Sequence, residues 1–227
     1  MSGVRLRWLR HTLPALALAA CGDAATTETA GPDQLSLADC GVDATERERL
    51  LSLDEDAFDQ DFDGGWRAVS LRHDGACKVA AAQLLDDYIE RHDVSPDTSV
   101  MHWHVGQMLA GAGRYTEARP WFEAERRTGQ LDSHDEAWNL YVDGTLAFLD
   151  SDRAAFERAS AELNSGRFDP TSEEAASMRE WAESENITFP EESYIRNANG
   201  VVLERMLACW GTPYSEAYGG RCERPLD

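Results

Sequence analysis

The 227-residue sequence predicts an all-α fold of stacked helix-turn-helix pairs that ends in a disulfide-closed C-terminal tail. Three observations carry this reading. Tryptophans recur at Trp66, Trp103 and Trp138, 37 and 35 residues apart, and alanines at Ala80, Ala118 and Ala155, 38 and 37 apart. A period of this size belongs to helical-pair repeats. Within each period, apolar residues fall at i, i+3 and i+4, the spacing of one helix face. Clusters of Gly, Pro, Asp and Ser separate these stretches and punctuate the helices.

Taken in order, Thr45-Glu46-Arg47-Glu48 has capping-box form, and Leu50, Leu51, Leu53 and Phe58 extend a first helix over about 45–58. Asp59-Gln60-Asp61-Phe62-Asp63-Gly64 follows, the one metal-like pattern in the chain. Asp59, Asp61 and Asp63 alternate and Gly64 supplies a sharp turn, as a calcium loop requires. The twelfth loop position, which needs a bidentate Glu, is Ser70, and the ninth is the cationic Arg67. The competing reading is an acidic interhelical loop. Residues 66–73 read as one helix and Cys77–Arg91 as a second, with Val79, Ala80, Leu84, Tyr88 and Ile89 as its apolar stripe and Asp74-Gly75 as the turn between them. Ser95-Pro96-Asp97 marks the next loop.

The stretch His102–Arg126 is the most regular. Its first helix ends where Gly113 supplies a positive φ, and its second starts near Thr116 with Ala118, Trp121 and Phe122 on one face. The small Gly106 and Ala118 permit close backbone approach. Pro120 is expected in the first turn, where a missing amide matters little. Gly106, Gly113, Tyr115, Glu117, Ala118 and Phe122, in this order and spacing, resemble a tetratricopeptide repeat. The resemblance is looser on either side: 66–91 lacks small residues at the expected crossing, and 136–164 carries its own a step out of register. It implies an α-solenoid that binds a protein or peptide. In such a solenoid the first-helix positions His102, His104, Gln107 and Gly111 would line the groove.

Asp132-Ser133-His134-Asp135 supplies caps for a helix from about Glu136 to Leu149, Asp150-Ser151-Asp152 a turn, and Arg153–Asn164 a further helix. Glu173–Ser184 reads as a helix, Asn186-Ile187-Thr188 as a glycosylation-type triplet, and Tyr194–Trp210 as a last helix that caps the stack. Cys40, Cys77, Cys209 and Cys222 allow three pairings. Cys209 and Cys222 flank a Gly- and Pro-containing segment suited to a closed loop, which leaves Cys40 with Cys77. None has metal-site spacing.

Residues 1–20 read as a targeting segment, with Arg5, Arg7 and Arg10 as a basic head and Leu13–Ala20 as an apolar run too short to span a bilayer. Leu18-Ala19-Ala20-Cys21 resembles a bacterial lipobox. The resemblance implies lipidation at Cys21, with a tether over 21–39 and a helical domain over 40–227. Gly22, rather than Asp, after Cys21 implies the periplasmic face of the outer membrane. An ordinary cleaved signal peptide is the alternative.

The net charge of −21, or −24 once three N-terminal arginines are removed, excludes nucleic acid as a partner and disfavours adsorption on anionic lipid. The expected partner is a protein or peptide of the cell envelope, and the expected membrane contact is the lipid alone. No catalytic or cofactor fingerprint is present, so neither catalysis nor a cofactor is expected. His102 and His104, at i and i+2, point to different helix faces and are poorly placed to share a metal. The recurring tryptophans read as core. A metal- or small-ligand-binding envelope protein, or an enzyme without a recognisable motif, is the alternative function. A structural spacer without a specific ligand is a third.

Overall fold

Carboxylates at Asp43, Asp54, Asp132 and Asp152 accept orphan amides and set the starts of four elements in this chain. The computed structural model describes residues 35–165 and 197–222, with Ala176, Arg179, Glu180 and Glu183 as isolated positions, and among the described residues every regular element is helical. The targeting segment, Cys21, most of the tether, the triplet at Asn186 and nearly all of the helix expected over Glu173–Ser184 lie outside them. Leu35 and Leu37 already pack on the core, so the first contacts of the fold precede Cys40.

Helix α1 (Ala44–Leu51) begins where Asp43 Oδ1 accepts the amides of Thr45 and Glu46 at 2.9 and 2.8 Å. This carboxylate displaces the expected cap at Thr45, because it takes two donors and meets the positive end of the helix dipole. The helix also stops at Leu51 instead of continuing to Phe58. Asp54 accepts the amide of Ala57 at 2.9 Å and restarts the chain as a separate π-helical turn, Asp56–Gln60. That turn brings Phe58 flat against Tyr88 at 3.8 Å between ring centres.

Helix α2 (Gly65–Ser70) and the one-turn α3 (Arg72–Gly75) replace the single helix expected over 66–73. His73 and Asp74 adopt positive φ (51° and 56°), so the reversal begins just ahead of Gly75. Helix α4 (Lys78–His92) buries Ala80, Leu84, Tyr88 and Ile89 of the expected stripe together with Leu85, while Val79 is half-buried.

Helices α5 (Met101–Gly111) and α6 (Tyr115–Ala124) form a hairpin closed by a Schellman turn. Gly113, at φ 79°, donates to Ala110 O, and Arg114 donates to Leu109 O at 2.9 Å. A β-carbon on Gly106 would stand 2.8 Å from the ring of Phe122, so the close helix crossing depends on glycine. Pro120 sits in the second turn of α6, not the first, because the helix starts at Tyr115; the carbonyl of Thr116 thereby loses its intrahelical donor.

Helix α7 (Ser133–Leu149) starts three residues before the expected Glu136, because Asp132 and Asp135 form a reciprocal capping box. Its turn into α8 (Arg153–Ser165) is built like the preceding hairpin, with Ser151 at φ 59° and Asp152 donating to Ala147 O at 2.9 Å. Gly144 also has a close approach, but its neighbour is Leu203 of α9 (Ala198–Ala208) rather than a residue of α8. The expected helix 194–210 is therefore observed over 198–208, after an Asn197 cap. A short α10 (Tyr214–Gly219) follows.

Each helix packs on the next, from α4 through α8; α9 lies on α7 and α8, and α10 returns to α5. Trp66 and Trp103 are 2 % and 3 % exposed and lie in the core, Trp103 ringed by Phe122, Trp138 and Tyr141; Trp138 is half-buried against it. Disulfides join Cys40 to Cys77 and Cys209 to Cys222, with Cα–Cα distances of 5.9 and 5.5 Å. The first ties the N-terminal turn to the start of α4, and the second closes the tail that carries α10. Among the described residues no helix is long and apolar enough to cross a membrane.

Candidate functional site

Helix α5 separates two environments. His102, Val105 and Leu109, at i, i+3 and i+7, look one way, and His104, Gln107 and Gly111 look roughly the other. The four positions expected to line one groove are therefore divided, His102 from the other three.

The His104 face is covered. Tyr214 of α10 stands beside Gln107, and Tyr218 approaches Tyr141 of α7 and Arg67 of α2. Burial drives the hydroxyls of Tyr141 and Tyr214 well above the ordinary tyrosine range. Tyr214 N–H donates to Tyr115 Oη at 3.0 Å, which fixes α10 in place. Gly111 lies against the aliphatic chain of Lys78, which a β-carbon would meet at 3.0 Å.

Beneath this face sits Asp59, fully buried. Its Oδ1 accepts from Trp66 Nε1 at 2.7 Å and pairs with His104 Nδ1 at 2.8 Å, while Oδ2 accepts from Gln60 at 2.5 Å. Burial alone would raise its pKa, but His104, Trp66 and Arg67 together hold it below the usual carboxylate value. Both oxygens are thus engaged inside the protein. Asp61 instead accepts the amide of Asp63 at 2.9 Å, in an exposed turn. Asp59, Asp61 and Asp63 do not converge into a calcium cage. Among the described residues no group of three or more His, Cys, Asp or Glu is placed to hold a metal ion.

The His102 face opens on a groove of about 550 Å³ walled by α4 and α6 and floored by α5. Val79, Ala82, Val105, Leu109, Pro120 and Trp121 give it an apolar lining, and Gln83, Asp86, Arg114, Thr116 and Glu117 form its polar rim. A second groove of about 480 Å³ repeats the arrangement one hairpin further on, between α6, α7 and α8. Helix α6 is the ridge between them: Glu117, Pro120 and Trp121 face the first, and Arg119, Glu123 and Arg126 the second. The second groove is crossed by ion pairs from Arg119 to Glu123 and Asp150 and from Arg126 to Asp143.

Beside the first groove, His102 packs against Trp121 with ring centres 5.8 Å apart. Its Nδ1 lies 3.9 Å from Oε1 of Glu125, too far for a hydrogen bond. Glu125 is fully buried, and neither carboxylate oxygen nor His102 Nδ1 has a hydrogen-bond partner among the described residues. Burial raises the Glu125 pKa to about 7; Arg127, at 3.8 Å, and the main chain at Trp103 pull the other way without offsetting it. Arg127 is itself drawn off, donating to Pro96 O and lying over the Trp138 ring. Burial likewise lowers the pKa of His102. The sequence reading missed Glu125, although its position carries a signal. It lies seven residues after Ala118, four after Trp121 and three after Phe122, an acid on the apolar stripe of α6.

No protein-family model, curated protein or solved structure matches this chain.

Proposed function

We propose that this chain is a protein-binding module of the tetratricopeptide-like solenoid class, held by a lipid on Cys21 at the periplasmic face of the outer membrane. The observation that carries the reading is the apolar-floored groove between α4, α5 and α6. A concave, largely preformed, mostly apolar cleft with a polar rim is the usual form of a recognition site. The helical hairpins of the stack support the solenoid class. Two successive ones close on a left-handed residue, Gly113 and Ser151, and the first crosses closely at Gly106. Recognition is assigned to this groove, and not to the face of His104, Gln107 and Gly111, because α10 packs over that face.

The test is recovery of partners from living cells with the lipidated protein, compared with a Cys21→Ser control and with Gln83→Trp. Gln83 is exposed on the groove rim, so a tryptophan there obstructs the groove without entering the core. The expected result is one envelope protein enriched by the wild-type chain and lost from Gln83→Trp. Equal recovery by both would overturn the assignment.

A further inference from the structure

We infer that the segment received by the α4–α5–α6 groove is cationic: a stretch of a partner protein that seats a large apolar side chain between Trp121 and Val105 and sets a lysine or arginine against Asp86. This inference rests on the proposed function and adds the chemistry of the partner.

The charge distribution of the groove carries it. Arg114, the one Lys or Arg of its lining among the described residues, is bound to Glu117 of the same wall at 2.5 Å, so that pair is already neutralised. Asp86, on the opposite wall, is exposed and makes no hydrogen bond or ion pair among the described residues. Its exposed acidic neighbour Glu90 deepens the negative potential, whereas Asp87 is paired with Arg47. Asp87 follows it in sequence, and Glu90 lies one helical turn on, on the side shared by Gln83 and Asp86. Partial burial, then Asp87 and Glu90, push the Asp86 carboxyl above its ordinary value; only His102 counters them.

Among the described residues, two cations on or beside this helix are committed elsewhere. Arg47 is bound to Asp87 at 2.8 Å and Arg91 to Glu48 at 2.6 Å. The neighbouring groove differs, since Arg119 and Arg126 already cross it in ion pairs. An apolar floor with one unmatched acidic wall selects a partner that brings both apolar surface and positive charge. It rejects an acidic or phosphorylated segment. The net charge of −21 extends the same preference to the approach of the partner.

The experiment uses the full chain with both disulfides intact and two synthetic peptides that share a Leu-Phe centre. One is flanked by lysines, the other by glutamates. Binding is followed through the methyl resonances of Val79, Ala82, Val105 and Leu109 and repeated at rising salt. The lysine peptide is expected to move these methyls, with affinity falling as salt increases, and the glutamate peptide to leave them in place. Asp86→Asn is expected to weaken the lysine peptide by roughly twofold to fivefold, the range of an exposed ion pair. Equal binding of both peptides at these methyls, unaffected by Asp86→Asn, would overturn the charge inference and leave the groove standing as a binding surface. Shifts scattered over other acidic surface, with the four groove residues unmoved, or no shifts from either peptide, would overturn both.

Discussion

Replacing Glu125 by glutamine removes the least compensated charge in the core. The carboxyl is fully buried, neither oxygen meets hydrogen-bond geometry with a described residue, and its pKa stands at about 7 against 4.5 when solvated. At about 1.4 kcal/mol per pH unit, that difference corresponds to roughly 3 kcal/mol of stability withheld when Glu125 is ionised. The sign follows from proton binding. Between pH 4.5 and about 7 the folded chain holds the Glu125 proton and the unfolded chain does not, so stability is full below 4.5 and declines as pH rises through 7. His102 works in the opposite direction. Its pKa is lowered in the folded chain, so its contribution is present at neutral pH and erodes on acidification below 6.5. Glutamine mimics the protonated acid at every pH. Glu125→Gln is therefore expected to exceed the wild type by about 3 kcal/mol near pH 8, or roughly 6–12 °C in Tm for a chain of this size, and to equal it near pH 4.5. Urea denaturation followed by tryptophan fluorescence across this range measures the difference. A gain independent of pH, or none at all, would refute the reasoning that burial controls this group.

Other expectations follow from the same contacts. Asp59→Ala is expected to lower stability by about 3 kcal/mol in thermal melts, because it strands His104 and Trp66 Nε1 without their acceptor. The Asp59 carboxylate contributes stability above its unfolded pKa near 3.8 that is lost as pH falls through its lower folded value, opposite in sense to Glu125. Gly106→Ala gains helix propensity but meets Phe122 at 2.8 Å, and a net loss of about 1–2 kcal/mol is expected in chemical denaturation. Replacing Cys40 and Cys77 by serine is expected to cost about 4 kcal/mol, against about 3 for Cys209 and Cys222, since the first pair closes 37 residues and the second 13. Melts of the two double variants should fall in that order.

Helix type and most helix centres were legible in the sequence, because apolar spacing and turn residues act locally. Gly113 and Asp150-Ser151-Asp152 marked both hairpin turns correctly, since a left-handed residue is a requirement of the backbone alone. The sequence left three cysteine pairings open, and the structure has the one that loop chemistry suggested. Several boundaries moved where carboxylates accept amides: Asp43 caps in place of Thr45, Asp54 restarts the chain inside the helix expected over 45–58, and Asp132, first of the expected cap residues, starts α7 early. The candidate site was less legible. The division of His102 from His104, Gln107 and Gly111 was visible as helical phase, but which face stayed open was not. That depended on α10, more than a hundred residues away in sequence, folding back on α5. The aspartates at 59, 61 and 63 looked equivalent as text. Only the π-helical turn separates the inward-facing Asp59 from the exposed pair.

The central claim is that the α4–α5–α6 groove is the surface a partner protein occupies. Photo-crosslinking in living cells, with a photoreactive residue placed in turn at Gln83, Thr116 and Glu157, tests it most directly. Gln83 and Thr116 lie on the two walls of the groove, and Glu157 is an exposed position on α8 outside it. The same crosslinked envelope protein is expected from Gln83 and Thr116 and none from Glu157. Crosslinks from Glu157 with silence from both groove positions would contradict it.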